Sequence, residues 1–227
     1  MRKKDRTDAS SKQMWRLIGA VLLLIGTLVT PVSAEHGPIT DVSCPIPGAQ
    51  VVLDRGHGGE DPGAVNEAFE LREAELNLEI ARRVAQILQV EHGLSVALTR
   101  VDNATALGNS ERGAIANACA ATVYVSIHLN GTEDPGVDYA QSFWAEKEKD
   151  LALSLVMNSS LASLGIPVNI VDRFDNGGLL RARMPSVLVE AVFLSNPDEA
   201  EALKKQLRQD EIAQAIAAGI VMWFDLW

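Results

Sequence analysis

Short apolar runs and helical apolar stripes alternate along most of this chain. Val51-Val52-Leu53, Ser95–Thr99 and Thr122–Ile127 are brief, rich in β-branched residues and bounded by turn residues, the pattern of buried strands. Between the first two, Leu76, Ile80, Val84, Ile87 and Leu88 recur at helical spacing, with Arg82, Arg83 and Gln86 on the other side. His92 in the last turn and Gly93 beyond it predict where that helix stops. A second helix is expected over Asn109–Ala120, capped by Asn109 or Ser110, with Ala114, Ile115 and Ala118 turned inward. Strand, helix, strand, helix, strand is the order of a single α/β domain. Its sheet should be twisted and mostly parallel, flanked by helices on both faces.

The remainder extends the pattern. Tyr139–Ala145 reads as a strand, Asp150–Leu164 as a helix closed by Gly165, and Ser186–Glu190 as a buried strand ending on a carboxylate. Val168–Arg183, with Gly177-Gly178, reads as a loop able to line a cleft. Pro197–Leu207 and Glu211–Phe224 are closing amphipathic helices, and Trp223 and Trp227 are expected to pack rather than to present a ligand platform.

The first 34 residues follow neither rhythm. Six basic residues precede Leu17–Thr30, an uncharged apolar stretch of fourteen, and Val32-Ser33-Ala34 resembles a small-residue cleavage site. That is the layout of a secretory signal peptide, and the apolar stretch is short of the roughly 20 residues of a spanning helix. An uncleaved anchor is the alternative, and the only membrane attachment expected. Residues 35–48, with Pro38, Pro45, Pro47 and Gly48, read as a linker to a domain spanning 49–227.

The whole chain carries a net charge of −10, and its leader takes six of the 20 basic and two of the 30 acidic residues, leaving the exported part at −14. Neither nucleic acid nor an anionic membrane surface suits such a protein. The two cysteines, Cys44 and Cys119, are too few for a disulfide scaffold, and pairing and free thiols stand equally open.

Four histidines are present; His36 falls in the linker and His92 at a helix end. The other two follow strands: His57 in the glycine-rich turn of Val51–Ala64, and His128 directly after Ile127. The carboxyl ends of parallel strands are where α/β sheets carry ligands. Glu190 closes a third apolar strand, where a buried carboxylate needs a partner, and Glu73 opens the first helix, where it also complements the helix dipole. Two imidazoles and a carboxylate, His57, Glu73 and His128, are the donor types of a catalytic zinc site. Glu190 would then be the general base. No HExxH helix, GxSxG elbow or phosphate-binding lysine loop is present.

Taken together, LDRGHGGEDPGA (53–64), LREAELNLEIARRVA (71–85), Thr99-Arg100, SERGAIANA (110–118), VSIHLN (125–130) and MPSVLVEAVFLSNPDE (184–199) resemble the zinc-dependent N-acetylmuramoyl-L-alanine amidases of the Amidase_3 family. The resemblance runs in family order from Val51 to Trp227. It implies one zinc ion per chain on His57, Glu73 and His128, with Glu190 catalytic. It also implies cleavage of the amide between the lactyl group of N-acetylmuramic acid and L-alanine of the stem peptide, in cell-wall remodelling or daughter-cell separation. The protein would be an exported, monomeric enzyme of the periplasm or cell wall, working on peptidoglycan with or without a protein activator. Arg55, Leu129 and Val192 depart from the family pattern, the first two beside the expected metal. The 62 positions between His128 and Glu190 are too few for the autoinhibitory helical insertion of some relatives, so an open site is expected. A wall-binding paralogue without activity and a zinc peptidase are the rival readings.

Overall fold

The computed structural model describes residues 42–227; the expected leader, and the linker before residue 42, lie outside the described residues. Six strands form one sheet in the order β4-β1-β5-β8-β6-β7. They are β1 (Val51–Arg55), β4 (Val96–Leu98), β5 (Val123–Asn130), β6 (Gln141–Trp144), β7 (Asp172–Arg173) and β8 (Ser186–Phe193). The first four in that order run parallel, while β6 pairs antiparallel with β8. Two short strands, β2 (Val65–Asn66) and β3 (Leu71–Arg72), make a separate hairpin between the His57 loop and the first helix.

Side chains alternate across a strand, and both faces of this sheet are covered, which is why its strands read as unbroken apolar runs. Val51, Leu53, Val125, Ile127, Val187 and Val189 face one way, into a core shared with α1 (Glu73–His92), α3 (Glu148–Leu161) and α6 (Gln206–Leu226). Val52, Tyr124 and Leu188 face the other way, against α2 (Asn109–Ala118) and the short α4 (Gly177–Arg181). A seven-residue helix, α5 (Pro197–Leu203), is capped by Asn196, whose side chain accepts from the amides of Asp198 and Glu199. Helix α1 ends as its sequence predicts, with Gly93 left-handed and its N–H donating to the Leu88 carbonyl.

Several expectations change. Helix α2 stops at Ala118, and its cap is Gly108 rather than Asn109 or Ser110; the Gly108 N–H donates to the Glu111 carboxylate at 2.7 Å. Its buried stripe runs through Arg112, Ile115, Ala116 and Cys119, a spacing of three and four, which turns Ala118 to solvent. The stretch 168–183 is not all loop, since it holds β7 and α4. Strand β8 continues past Glu190: Ala191, Val192 and Phe193 stay buried, and after a register shift Phe193 pairs with Asn130 of β5. Trp223 is buried, whereas Trp227 is 70% exposed and stacks on it with ring centroids 5.2 Å apart. The cysteine alternatives resolve as a disulfide: Cys44 is bonded to Cys119, the C-cap of α2, across 75 positions of sequence.

Candidate metal centre

Strands β1, β5 and β8 are adjacent and parallel, so their carboxyl ends meet along one edge of the sheet. Just past β1 the chain turns sharply. His57, Gly58 and Gly59 have φ of 62°, 115° and 67°, three successive residues in a region that side chains disfavour. The turn folds His57 back toward α1, whose first residue is Glu73. From β5, His128 stands beside Glu190 of β8, the two being register partners.

Glu73 is the hub. Its carboxylate is buried, and it offers one oxygen to each imidazole: Oε2 lies 3.1 Å from His57 Nε2, and Oε1 lies 3.0 Å from His128 Nδ1. The same oxygens accept from the backbone N–H groups of Ala64 (2.8 Å) and Leu129 (3.1 Å) and from the Asn77 side chain (3.1 Å). Burial works to raise the Glu73 carboxyl, yet the bonds and charges of His128 and His57 hold it well below the carboxylate range. Burial likewise works to lower His57, and the bond and charge from Glu73, joined by Asp61, raise it to about 9. These groups are held in one place by mutual attraction.

His57, Glu73 and His128 each present a donor atom within 4.8 Å of the others, the arrangement of a candidate metal site. Two imidazoles and one carboxylate are a donor set that zinc accepts in three-ligand sites with an open fourth position. The far nitrogen of His57, Nδ1, lies 2.8 Å from Asp61 Oδ2, so Asp61 fixes the ring with Nε2 facing inward. The sequence reading took Asp61 only as part of a turn. A carboxylate four residues after a candidate ligand, across a glycine-rich bend, was the available signal.

Glu190 completes the set. It lines a cleft of about 510 Å³ together with Glu73, Ala64, Leu129, Asn130 and Ser195. Burial raises its carboxyl to about 7, against a lowering by His128, and its Oε2 has no hydrogen-bond partner among the described residues. A carboxyl group poised near neutrality and facing a cleft suits proton transfer. His57 and His128 keep side-chain exposures of 23% and 15%, consistent with an open site. Of the three departures from the family pattern, Leu129 lines the cleft. Arg55 does not: it shares the side of β1 that carries Leu53, and its guanidinium is fully buried with no hydrogen-bond partner among the described residues. Burial and the neighbouring charge of Arg100 push it down to about 10. Val192 is buried in the larger core.

A family model described as N-acetylmuramoyl-L-alanine amidase matches residues 51–222. YqiI of Bacillus subtilis (strain 168), an uncharacterized protein, is 32% identical over 217 residues, spanning 92% of this chain and 99% of that protein. The germination-specific N-acetylmuramoyl-L-alanine amidase of the same strain is 34% identical over 198 residues, 80% of this chain and 82% of that one. Among solved structures, the catalytic domain of CwlV, an N-acetylmuramoyl-L-alanine amidase from Bacillus (Paenibacillus) polymyxa var. colistinus, matches with a TM-score of 0.72 at 31% identity, covering 78% of this chain and 98% of that one. The CwlD amidase from Clostridioides difficile, solved in complex with the GerS lipoprotein, matches with a TM-score of 0.73 at 30% identity, covering 79% and 100%.

Proposed function

Since the chain belongs to the Amidase_3 family of N-acetylmuramoyl-L-alanine amidases, we propose that His57, Glu73 and His128 hold a single zinc ion and that Glu190 is its catalytic partner. The protein is a peptidoglycan amidase, a hydrolase of the cell wall. The observation that carries the site assignment is the Glu73 carboxylate shared between two imidazoles, with Glu190 beside His128 across the β5–β8 pair. Held by these three side chains, zinc supplies Lewis acidity to a water and to the scissile amide carbonyl. The chain's own groups do the rest. Asp61 and the Glu73 contacts orient the imidazoles. Glu190, with a free oxygen and a value near neutrality, takes the proton of the attacking water and delivers it to the departing L-alanine amine.

The bond cleaved, on this reading, joins the lactyl carbonyl of N-acetylmuramic acid to the stem peptide, and the enzyme serves wall remodelling or cell separation. The Cys44–Cys119 disulfide and the cell-wall family both point outside the cytoplasm. We assign residues 1–34 as the export leader, 35–48 as a segment stapled to the domain through Cys44, and 49–227 as the catalytic domain. A protein activator fits the CwlD relative, which was solved with a lipoprotein partner.

The test is digestion of purified peptidoglycan by the zinc-loaded protein, beside Glu190→Ala, with products read by mass. Stem peptides bearing a free L-alanine amine, released by the wild type alone, are the expected result. Products cut between two amino acids would replace the amidase reading by a peptidase. A protein that binds sacculi but cuts nothing, even with a partner present, would leave a wall-binding module.

A further inference from the structure

Two buried arginines converge on the backbone that presents His57. Arg100 Nε donates to the Arg55 carbonyl (3.0 Å), and its Nη2 donates to the Gly56 carbonyl (2.9 Å). Arg112 Nη1 donates to the same Arg55 carbonyl (2.6 Å), and its Nη2 donates to the His57 carbonyl (2.8 Å). Three consecutive carbonyls are thus taken by two guanidinium groups. Arg100 Nη2 donates also to the Ala74 carbonyl (2.8 Å), one residue past Glu73. The His57 turn and the first turn of α1 therefore hang from one planar group.

Both arginines are anchored behind the turn. Arg112 Nη1 lies 2.9 Å from Asp54 Oδ1, an oxygen that also accepts from Thr99, while Ser126 donates to Oδ2. Arg100 Nη1 donates to the Asp102 carbonyl and to the Asn103 side chain. A left-handed conformation at a residue with a side chain costs about 1–2 kcal/mol, and His57 is such a residue. Carbonyls aimed together at one point also repel one another unless donors satisfy them. The guanidinium fork, with five fixed N–H groups, is suited to the task, and an ammonium is not.

We propose that Arg100 and Arg112 are positioning residues for the metal centre: Arg112 holds His57 in its left-handed conformation, and Arg100 sets the separation of His57 from Glu73. The proposal rests on the reading of His57, Glu73 and His128 as metal ligands. Neither arginine touches a donor atom of that set through its side chain, so their effect on the metal is geometric. It also gives a role to Thr99-Arg100 and to Ser110–Ala118, two stretches the ligand set leaves unexplained.

The experiment measures zinc affinity by competition with a chromophoric chelator, and the visible spectrum of the cobalt-substituted protein. It compares wild type, Arg100→Lys, Arg100→Met, Arg112→Lys and Arg112→Met. Leu161→Ala, fully buried in the α3 core, is the control for lost stability alone. Loss of partners behind a metal ligand typically weakens binding roughly 10–100-fold. That weakening is expected in the arginine variants, with an altered cobalt spectrum, while Leu161→Ala unfolds at lower temperature with unchanged affinity. Folded arginine variants with wild-type affinity and spectrum would overturn the positioning roles, as would the failure of all four to fold, which marks a purely structural part. A wild type that takes up neither metal would instead remove the metal-centre reading, and this inference with it.

Discussion

The imidazole of His128 occupies the space where a side chain on Gly56 would begin. A Cβ built on Gly56 would lie 2.2 Å from His128 Cε1 and 2.5 Å from both ring nitrogens. Gly56 follows β1 directly, its N–H donating to Ile127 of β5 (3.1 Å), and the neighbouring strand carries His128 against its bare Cα. Gly56→Ala is therefore expected to push His128 out of place while leaving both cores intact. Metal content should fall below one ion per chain and hydrolysis should drop at least 100-fold, a loss of roughly 3 kcal/mol in transition-state stabilisation. Circular dichroism should be unchanged.

Glu190→Gln retains the shape of the side chain and removes its proton exchange. General acid–base groups typically contribute about 10²–10⁴-fold, and a loss of that size in kcat is expected. Zinc stoichiometry should remain at wild-type level, because Glu190 lies outside the candidate donor group of His57, Glu73 and His128. A variant that loses its metal would make Glu190 a ligand.

Removal of the metal should abolish activity. A strong chelator should silence hydrolysis of peptidoglycan, and added zinc should restore it. The chelated protein should stay folded, since its two apolar cores and the disulfide do not pass through the centre. Its unfolding temperature should fall, because an ion bound only by the native state stabilises by mass action.

The Cys44–Cys119 bond spans 75 positions. Cross-links of this length stabilise by roughly 2–5 kcal/mol, chiefly by restricting the unfolded chain. The double variant Cys44→Ser/Cys119→Ser should lower the free energy of unfolding by that amount in urea titration. The wild type treated with reductant should show the same loss.

Asp54 predicts acid sensitivity. Burial would raise this carboxyl, but the charge of Arg112 and the bonds from Ser126 and Thr99 outweigh it, so it lies below its ordinary value of 3.8. A carboxylate depressed in the folded state contributes stability that is present above its unfolded value and lost as pH falls through the folded one. Asp54→Asn strands the buried Arg112 charge, a defect worth about 3–5 kcal/mol at neutral pH. The gap between wild type and variant should close as pH is lowered from 5 to 2. A gap that stays constant would mean that Asp54 is not ionised in the native protein.

Local pattern carried the sequence reading as far as local pattern reaches. Leu76, Ile80, Val84 and Leu88 are buried as their spacing predicts, and Gly93 ends α1 because only the left-handed region closes that turn. His57, His128 and Glu190 could be singled out because each follows or closes an apolar strand; Glu73 could not, since a carboxylate at a helix start reads equally well as complementing the dipole, and only the fold brings it between the two imidazoles. What was not legible depends on pairing across the sheet. The antiparallel direction of β6, the extension of β8 beyond Glu190 and whether Cys44 meets Cys119 are set by neighbours far off in sequence. Arg112 was hidden for a related reason. A charge on the inward stripe of α2 makes sense only once Asp54 and three carbonyls are known to lie beneath it.

Strand β8 is the last strand in the chain, yet it lies between β5 and β6 in the middle of the sheet. His57, Glu73 and His128 all precede it, so every candidate ligand of the metal centre is synthesised well before Glu190. Pairing of β5 with β8 closes a long loop, a non-local contact whose closure entropy must be met before the pairing stabilises the sheet. A chain cut before Ser186 would lack both Glu190 and the strand that β5 and β6 pair with. The centre of the sheet and the last residue of the candidate site are therefore supplied by the same strand.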